Sequence, residues 1–353
     1  MITLFGATGY TGRKIARELE LRGLPYRIAG RSKERLEQLS STLPSRPAFL
    51  VADAQQSETL PPLFKDTQLL INCAGPFTDL GEKVVQMASF AGVNYLDTTN
   101  ELGFVYRLQT YHQMAKTNHC FLLPACAFEI ALSDVAIAKI FQKHPVQHLY
   151  VVYHTPQTNI SKGTRLSALR SLTTSWIGFQ DGSWSGVVPA GKSAQFSFST
   201  GNRYAIQIPS TEIFSIPWKY PVRNVEVWMT VSREWGFWGP VLLPYFARFM
   251  RSIAGKWIYS LTASRRESVP EDDQNNPFEI LIGFREKTEQ AWRQARITGK
   301  GPYSLTAKIA GYAAFFSLKS SSLPEGLITP STLLQPEAFF EEMHSQGVEF
   351  SFD

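Results

Sequence analysis

At 353 residues, with 44% apolar and 18% charged residues, the chain has globular composition and the length for two domains and a sizeable core, which excludes extended disorder. Its 35 basic residues against 30 acidic leave a net charge of only +5, with no basic run interleaved with aromatics, so no nucleic-acid partner is expected. Three cysteines, Cys73, Cys120 and Cys126, lack paired spacing and histidine company, which argues against a metal site and a disulfide framework. Met1 leads straight into an apolar run with no room for a cleavable signal peptide, and the expected location is the cytoplasm.

The first residues, MITLFGATGYTG, predict a strand, a glycine turn and a helix. Gly6 and Gly9 can adopt backbone conformations closed to other residues and let main-chain N–H groups approach a diphosphate at the positive end of the helix. Gly12 lets helix and strand pack closely. With Ala7, Thr8, Tyr10 and Thr11 these glycines form the expected phosphate-binding turn of a dinucleotide domain. Their spacing is G-x-x-G-x-x-G rather than G-x-G-x-x-G, and the Ala7-Thr8 pair resembles the loop of NADP-using reductases.

Further along, a helix over 11–22 ends at Gly23, and a strand over 26–29 runs into Gly30-Arg31-Ser32, with Ser32 the N-cap of a helix reading KERLEQL. Strands follow at 48–52, ending at Asp53, and at 68–73, a continuous apolar run of the kind buried on both faces. Helices at 83–91 and 104–117 and strands at Asn94–Asp97 and 120–123 complete an alternation that predicts a parallel sheet with right-handed crossovers. Near residue 125 the texture changes. A strand at 148–154 and a helix at 164–177 precede antiparallel texture over 182–233, then a hairpin of 278–284 with 291–298 turning near Lys287. A helix over 302–318 and a helix plus strand over 336–353 end the chain. The expected fold class is α/β: a Rossmann-type parallel-sheet domain over 1–125, a second α/β domain with a mixed or antiparallel sheet over 126–300, and a C-terminal return of 301–353 to the first domain.

Two stretches stand apart. Residues 265–277 are polar and predict an exposed loop. Residues 234–261 hold Trp235, Phe237, Trp238, Leu242, Leu243, Tyr245, Phe246, Phe249, Met250, Trp257 and Tyr259 around Arg248, Arg251 and Lys256, and Pro240, Pro244 and these charges rule out a spanning helix, which needs about 20 uninterrupted apolar residues. Two readings stay open: an insertion buried against the core or in a homodimer, or a surface resting on a membrane or admitting an oily substrate.

The end of the second strand chooses the cofactor. An acidic residue there suits NAD, whereas Arg31 and Ser32 suit the 2′-phosphate of NADP, the guanidinium as a bidentate clamp and the hydroxyl as a donor. Asp53 is expected at the adenine end, and Cys73, Ala74 and Gly75 beside the cofactor, because ligands occupy the crevice beyond the carboxyl ends of such strands. Pro76, Phe77, Thr99, Glu101 and Phe128 are the expected substrate-side residues, with a hydrophobic plug the alternative for Pro76 and Phe77 and loop or helix support the alternative for Asp97 and Glu101. Cys126 reads as a buried thiol, Tyr111 and His112 as packing residues, and no Tyr-x-x-x-Lys pair supplies an acid, so the catalytic residues are unassigned.

With these motifs assembled, the chain resembles the saccharopine dehydrogenase-like oxidoreductases, a group that includes trans-acting enoyl reductases. The matching pieces are GATGYTGR, AGRSKERLE, NCAGPF, GEKVV, YLDTTNE, LPACAFEIALSD, SKGTRLSAL and GLITPSTLL. In the sixth, the family pattern has glycine and aspartate where this chain has Ala127 and Glu129. The resemblance implies an NADP-binding Rossmann domain, a second α/β domain and, in some members, association with membranes or lipid metabolism. The expected activity is NADPH-dependent hydride transfer to a C=C or C=N bond of a hydrophobic substrate. The alternatives are an amino-acid dehydrogenase, for which Arg165 and Arg170 are the cationic cluster, and a non-catalytic, membrane-associated NADP-binding scaffold.

Overall fold

The computed structural model describes residues 1–156, 160–174, 176–188, 191–264, 273–287 and 291–352. Two compact units divide the chain: Met1–Asn100, Phe104–Ala131 and Tyr303–Gln335 form the first, and Glu101–Gly103, Leu132–Pro302 and Pro336–Asp353 the second.

In the first unit β1 (Ile2–Phe5), wholly buried, enters α1 (Tyr10–Leu21), whose Ile15, Ala16 and Leu19 form one apolar stripe. Then come β2 (Tyr26–Gly30), α2 (Lys33–Thr42), β3 (Phe49–Val51) and β4 (Leu69–Asn72). Helix α3 (Phe77–Ala91) starts six residues earlier than the helix expected over 83–91, directly after Pro76, and ends at Gly92 in the left-handed conformation. After β5 (Asn94–Asp97), the single helix expected over 104–117 is two, α4 (Leu102–Leu108) and α5 (His112–Thr117), separated by a tight turn at Gln109–Tyr111. Strand β6 (Phe121–Leu123) precedes α6 (Phe128–Phe141).

The second unit takes over within α6 and continues through β7 (Val146–His154) and α7 (Lys162–Thr173). The expected helix over 164–177 stops short, because Trp176 and Ile177 open β8 (Trp176–Gln180), paired with β9 (Ser183–Val187). Next are β10 (Ser193–Phe198), β11 (Gly201–Gln207), α8 (Glu212–Lys219) and β12 (Asn224–Val231). Helix α8 interrupts the strand texture expected across 182–233; it carries Pro217, which hid it from a periodicity reading. Helices α9 (Arg233–Met250) and α10 (Ile253–Ser264) cover most of the aromatic stretch, and the hairpin of β13 (Pro277–Glu286) and β14 (Arg293–Lys300) follows. Most of the expected polar loop, 265–272, and residues 288–290, next to the turn expected near Lys287, lie outside the described residues.

The chain then crosses back with α11 (Pro302–Lys319), β15 (Gly326–Leu327) and α12 (Pro330–Leu333), and ends in the second unit with α13 (Pro336–Ser345) and β16 (Glu349–Phe352). The expected C-terminal block 301–353 is therefore divided between the two units.

Sheet one runs β15-β6-β5-β4-β1-β2-β3, every pair parallel, with the strand order reversing between β1 and β4. Sheet two follows β10-β11-β12-β7-β13-β14-β16 and is mixed: β7 and β12 are parallel, the other pairs along this path antiparallel. Phe278, Ile280, Ile282 and Phe284 of β13 are buried on one face, while Leu281 joins Val152, Phe198, Ala205 and Trp228 in an apolar cluster on the other.

Within the second unit, α6, β7 and α8 meet around a buried carboxyl. Glu212 accepts hydrogen bonds from Ser133 Oγ at 3.1 Å, Ser210 Oγ at 2.5 Å and the Tyr153 hydroxyl. Burial raises its pKa above the ordinary carboxylate value, the three hydroxyls opposing the rise. An acid raised in this way adds stability that is complete below its unfolded pKa and is lost as pH rises through the folded one. The urea midpoint is expected to fall as pH increases above the ordinary carboxylate range, and Glu212→Gln to flatten that dependence; an unchanged slope in the variant refutes the assignment.

Candidate nucleotide site

The crevice at the strand-order reversal is where an open parallel sheet accommodates a ligand, and in the first unit the glycine turn fills one side of it. Gly6 has φ +77°, and a Cβ there would lie 2.7 Å from Ala74 N and Cys73 C, so the turn rests on the backbone that leaves β4. A Cβ on Gly12 would come within 2.4 Å of Gly6 O. These two positions admit only glycine, for close approach and, at Gly6, for conformation. The turn is tied down by Gly6 and Ala7 N–H groups donating to Ala29 O at 2.9 and 3.2 Å. Gly9 is the N-cap of α1 and no side chain caps that terminus, which leaves the helix start available to an anion.

Cations collect at the same place. Arg13 Nη1 and Arg35 Nη2 both donate to Thr8 O, at 2.7 and 3.1 Å, one from α1 and the other from α2. Arg31 is exposed at the end of β2, and the Thr8 hydroxyl lies near Gly30, 3.8 Å from a Cβ built there. Ser32 caps α2 as expected, accepting from Arg35 N at 3.3 Å, while its hydroxyl donates to Glu34 Oε2 at 2.9 Å. Sequence reasoning singled out Arg31 and Ser32 but missed Arg13 and Arg35. Their signal was a run of basic residues in the first turns of the two helices that flank β2, unreadable without the rotation of each helix.

The opposite wall is set by one buried carboxyl. Asp97 Oδ1 accepts from the backbone N–H of Thr99 and of Ala125, both at 2.9 Å, and Oδ2 accepts from the Tyr95 hydroxyl at 2.8 Å. Asn72 Nδ2 donates to that hydroxyl at 3.1 Å, and Asn72 Oδ1 accepts from Ala74 N at 2.9 Å. One connected network thus fixes the loops that leave β4, β5 and β6, and the loop-support reading of Asp97 prevails. Cys73 sits inside this wall: burial, reinforced by the Asp97 charge, pushes its thiol up to about 12, so it stays protonated and small beside the turn.

The remaining candidates are distributed unevenly. Asp53 is partly exposed, its Oδ1 accepting from Gln55 N at 3.0 Å in the turn after β3. Phe77 is buried, its ring 5.8 Å from that of Phe104, as a hydrophobic plug would be, whereas Pro76 and Phe128 are partly exposed. Thr99 is buried in the first unit; Glu101 belongs to the second, where it accepts from Ser167 Oγ at 2.6 Å. Tyr111 donates to Glu82 at 3.2 Å and His112 Nδ1 accepts from Leu327 N at 3.0 Å, both packing roles. No group of three or more potential metal ligands exists among the described residues.

These features fit a dinucleotide: side-chain-free positions where a Cβ would collide, a helix start that no side chain caps, and cations gathered beside the turn. Asp97→Ala is expected to cost roughly 3 kcal/mol, since three buried donors lose their acceptor, and to weaken dinucleotide binding with it. Urea unfolding together with fluorescence titration of NADPH checks both effects, and an unperturbed affinity would show that the loops hold without the carboxyl.

Comparison with known proteins agrees with this geometry. The model of the saccharopine dehydrogenase NADP binding domain matches residues 2–122. A trans-acting enoyl reductase of Mycobacterium tuberculosis is 33% identical over 148 residues, 40% of this chain and 35% of that protein. A probable mitochondrial saccharopine dehydrogenase-like oxidoreductase of Arabidopsis thaliana is 32% identical over 151 residues, 38% of this chain and 33% of the relative. The chain thus matches about a third of the length of these curated relatives. Saccharopine dehydrogenase (L-Glu forming) of Saccharomyces cerevisiae shares the fold, with a TM-score of 0.62 at 11% identity, covering 100% of this chain and 99% of that one. Residues 2–122 thus match the saccharopine dehydrogenase NADP binding domain, and the chain as a whole shares the fold of saccharopine dehydrogenase.

Proposed function

We propose that the protein is an NADPH-dependent reductase that delivers a hydride to a C=C or C=N bond of a hydrophobic, lipid-like substrate. The observation that carries this reading is the glycine turn, closed to side chains at Gly6 and Gly12, beside the uncapped start of α1 and next to Arg13 and Arg35. Bound there, NADPH would supply the hydride. The chain's own part is to bind and orient: Gly6–Gly12 backbone N–H groups toward the diphosphate, Arg31, Arg35 and Ser32 toward the 2′-phosphate, and Cys73, Ala74 and Gly75 along the cofactor's flank. Pro76 and Phe128, partly exposed and apolar, suit the substrate side. The enoyl reductase among the relatives favours C=C over C=N.

Two measurements test the proposal. In the first, Arg35→Glu and Arg31→Glu each raise the Kd for NADPH roughly ten- to hundredfold, as loss of a charge-assisted contact implies, while NADH binding changes little; equal losses for both nucleotides refute the 2′-phosphate assignment. In the second, NADPH oxidation is followed with medium- and long-chain enoyl thioesters, cyclic imines and amino-acid-derived imines. Turnover confined to the long-chain enoyl or apolar imine compounds supports the reading. Turnover with amino-acid imines alone points to the amino-acid dehydrogenase, and tight NADPH binding without any turnover to the scaffold.

A further inference from the structure

Helix α9 is amphipathic with its faces reversed. Its buried side carries Gly236, Gly239, Ala247 and Met250, and at Gly236 and Gly239 that side faces β11. A Cβ on Gly236 would come within 2.5 Å of Tyr204 Cβ, so the helix backbone lies almost directly on β11. The large side chains are sent outward: Phe237 is 71% exposed and Tyr245 72%, with Trp235, Trp238 and Phe249 beside them and Trp257 of α10 66% exposed. A folded chain gains nothing from facing its aromatics to water, so the pattern calls for a second apolar phase. Pro240 and Pro244 lie inside α9, and no described helix is long and apolar enough to cross a membrane, which makes the surface one that rests on its partner.

Charge selects the occupant. Residues 233–264 hold Arg233, Arg248, Arg251 and Lys256 against Glu234 alone, and the three arginines are exposed. A second copy seated on this face would set like charges against each other, whereas anionic headgroups neutralise them. Tryptophan and tyrosine, prominent here, favour the interfacial layer of a bilayer. We infer that α9 and α10 form an anchor that docks the protein on an anionic phospholipid membrane, with Phe237, Trp238 and Tyr245 sunk to the acyl boundary and Arg233 and Arg248 at the phosphates. The inference deepens the proposed function by naming the phase that supplies its substrate, and it is tested by binding alone, so either can fail without the other.

The test is flotation of the full-length protein with vesicles of phosphatidylcholine, alone or mixed with phosphatidylglycerol. The protein is expected to float with the mixed vesicles, with a blue shift of tryptophan emission, and far less with the neutral ones. Arg233→Glu and Arg248→Glu should each weaken that binding at least about fivefold. The double variant Phe237→Ser/Tyr245→Ser should abolish it with NADPH affinity unchanged, which shows the fold intact. No flotation with either vesicle overturns the inference, as does equal binding to both. A dimer in sedimentation velocity that the double variant converts to monomer also overturns it, in favour of a second copy of this chain.

Discussion

The nucleotide unit depends on a contact made possible by missing atoms: the turn after β1 lies against the backbone leaving β4 because Gly6 has no Cβ. Two parallel strands that neighbour each other in the sheet but are far apart in sequence are thereby joined at their carboxyl ends, where the strand order reverses. Everything else at the site is arranged around that join. Gly12 brings α1 close behind the turn, α1 points its first-turn N–H groups forward, and α2 adds a guanidinium that grips the turn at Thr8. The Asp97 network performs the corresponding task on the far side by giving two loop N–H groups, those of Thr99 and Ala125, one acceptor.

Much of this was legible in the sequence. Strand, glycine turn and helix are local, so Gly6–Gly12 and the Ser32 cap could be read from neighbours alone, as could the alternating strands and helices of the first unit. What escaped was set by rotation or by partners distant in the chain. Arg35 reaches Thr8 only because of where α2's first turn faces, and the Tyr95–Asp97–Ala125 connection spans residues that no spacing rule relates. Helix α8 was hidden by Pro217 and by its strand-rich surroundings. Nor does the sequence tell that Phe77 is buried while Pro76 and Phe128 are partly exposed, because a buried phenylalanine and an open one have the same letter.

The second unit shows the same contrast between composition and placement. Its aromatic richness is visible in the sequence, but composition cannot tell an apolar core from an apolar surface. That distinction comes from the small residues of α9, since glycine at 236 and 239 takes the inward positions and leaves the outward ones to Trp, Phe and Tyr. The glycines of the turn and those of α9 therefore do related work: each brings a backbone into contact and so decides what the neighbouring side chains can reach.

The route of the chain between the units bears on how it folds during synthesis. Strand β15, which flanks β6, and α11, whose Gly311 lies against Glu18 of α1, are separated from the rest of the first sheet by some 170 residues of the other unit. The first six strands therefore leave the ribosome long before their seventh neighbour and before the helix that covers α1. Pairing of β15 with β6 is a contact of high sequence separation, which is slow to form. An N-terminal fragment limited to residues 2–122 would carry the glycine turn and its arginines but a bare flank on α1, and the nascent domain is in that state until α11 emerges.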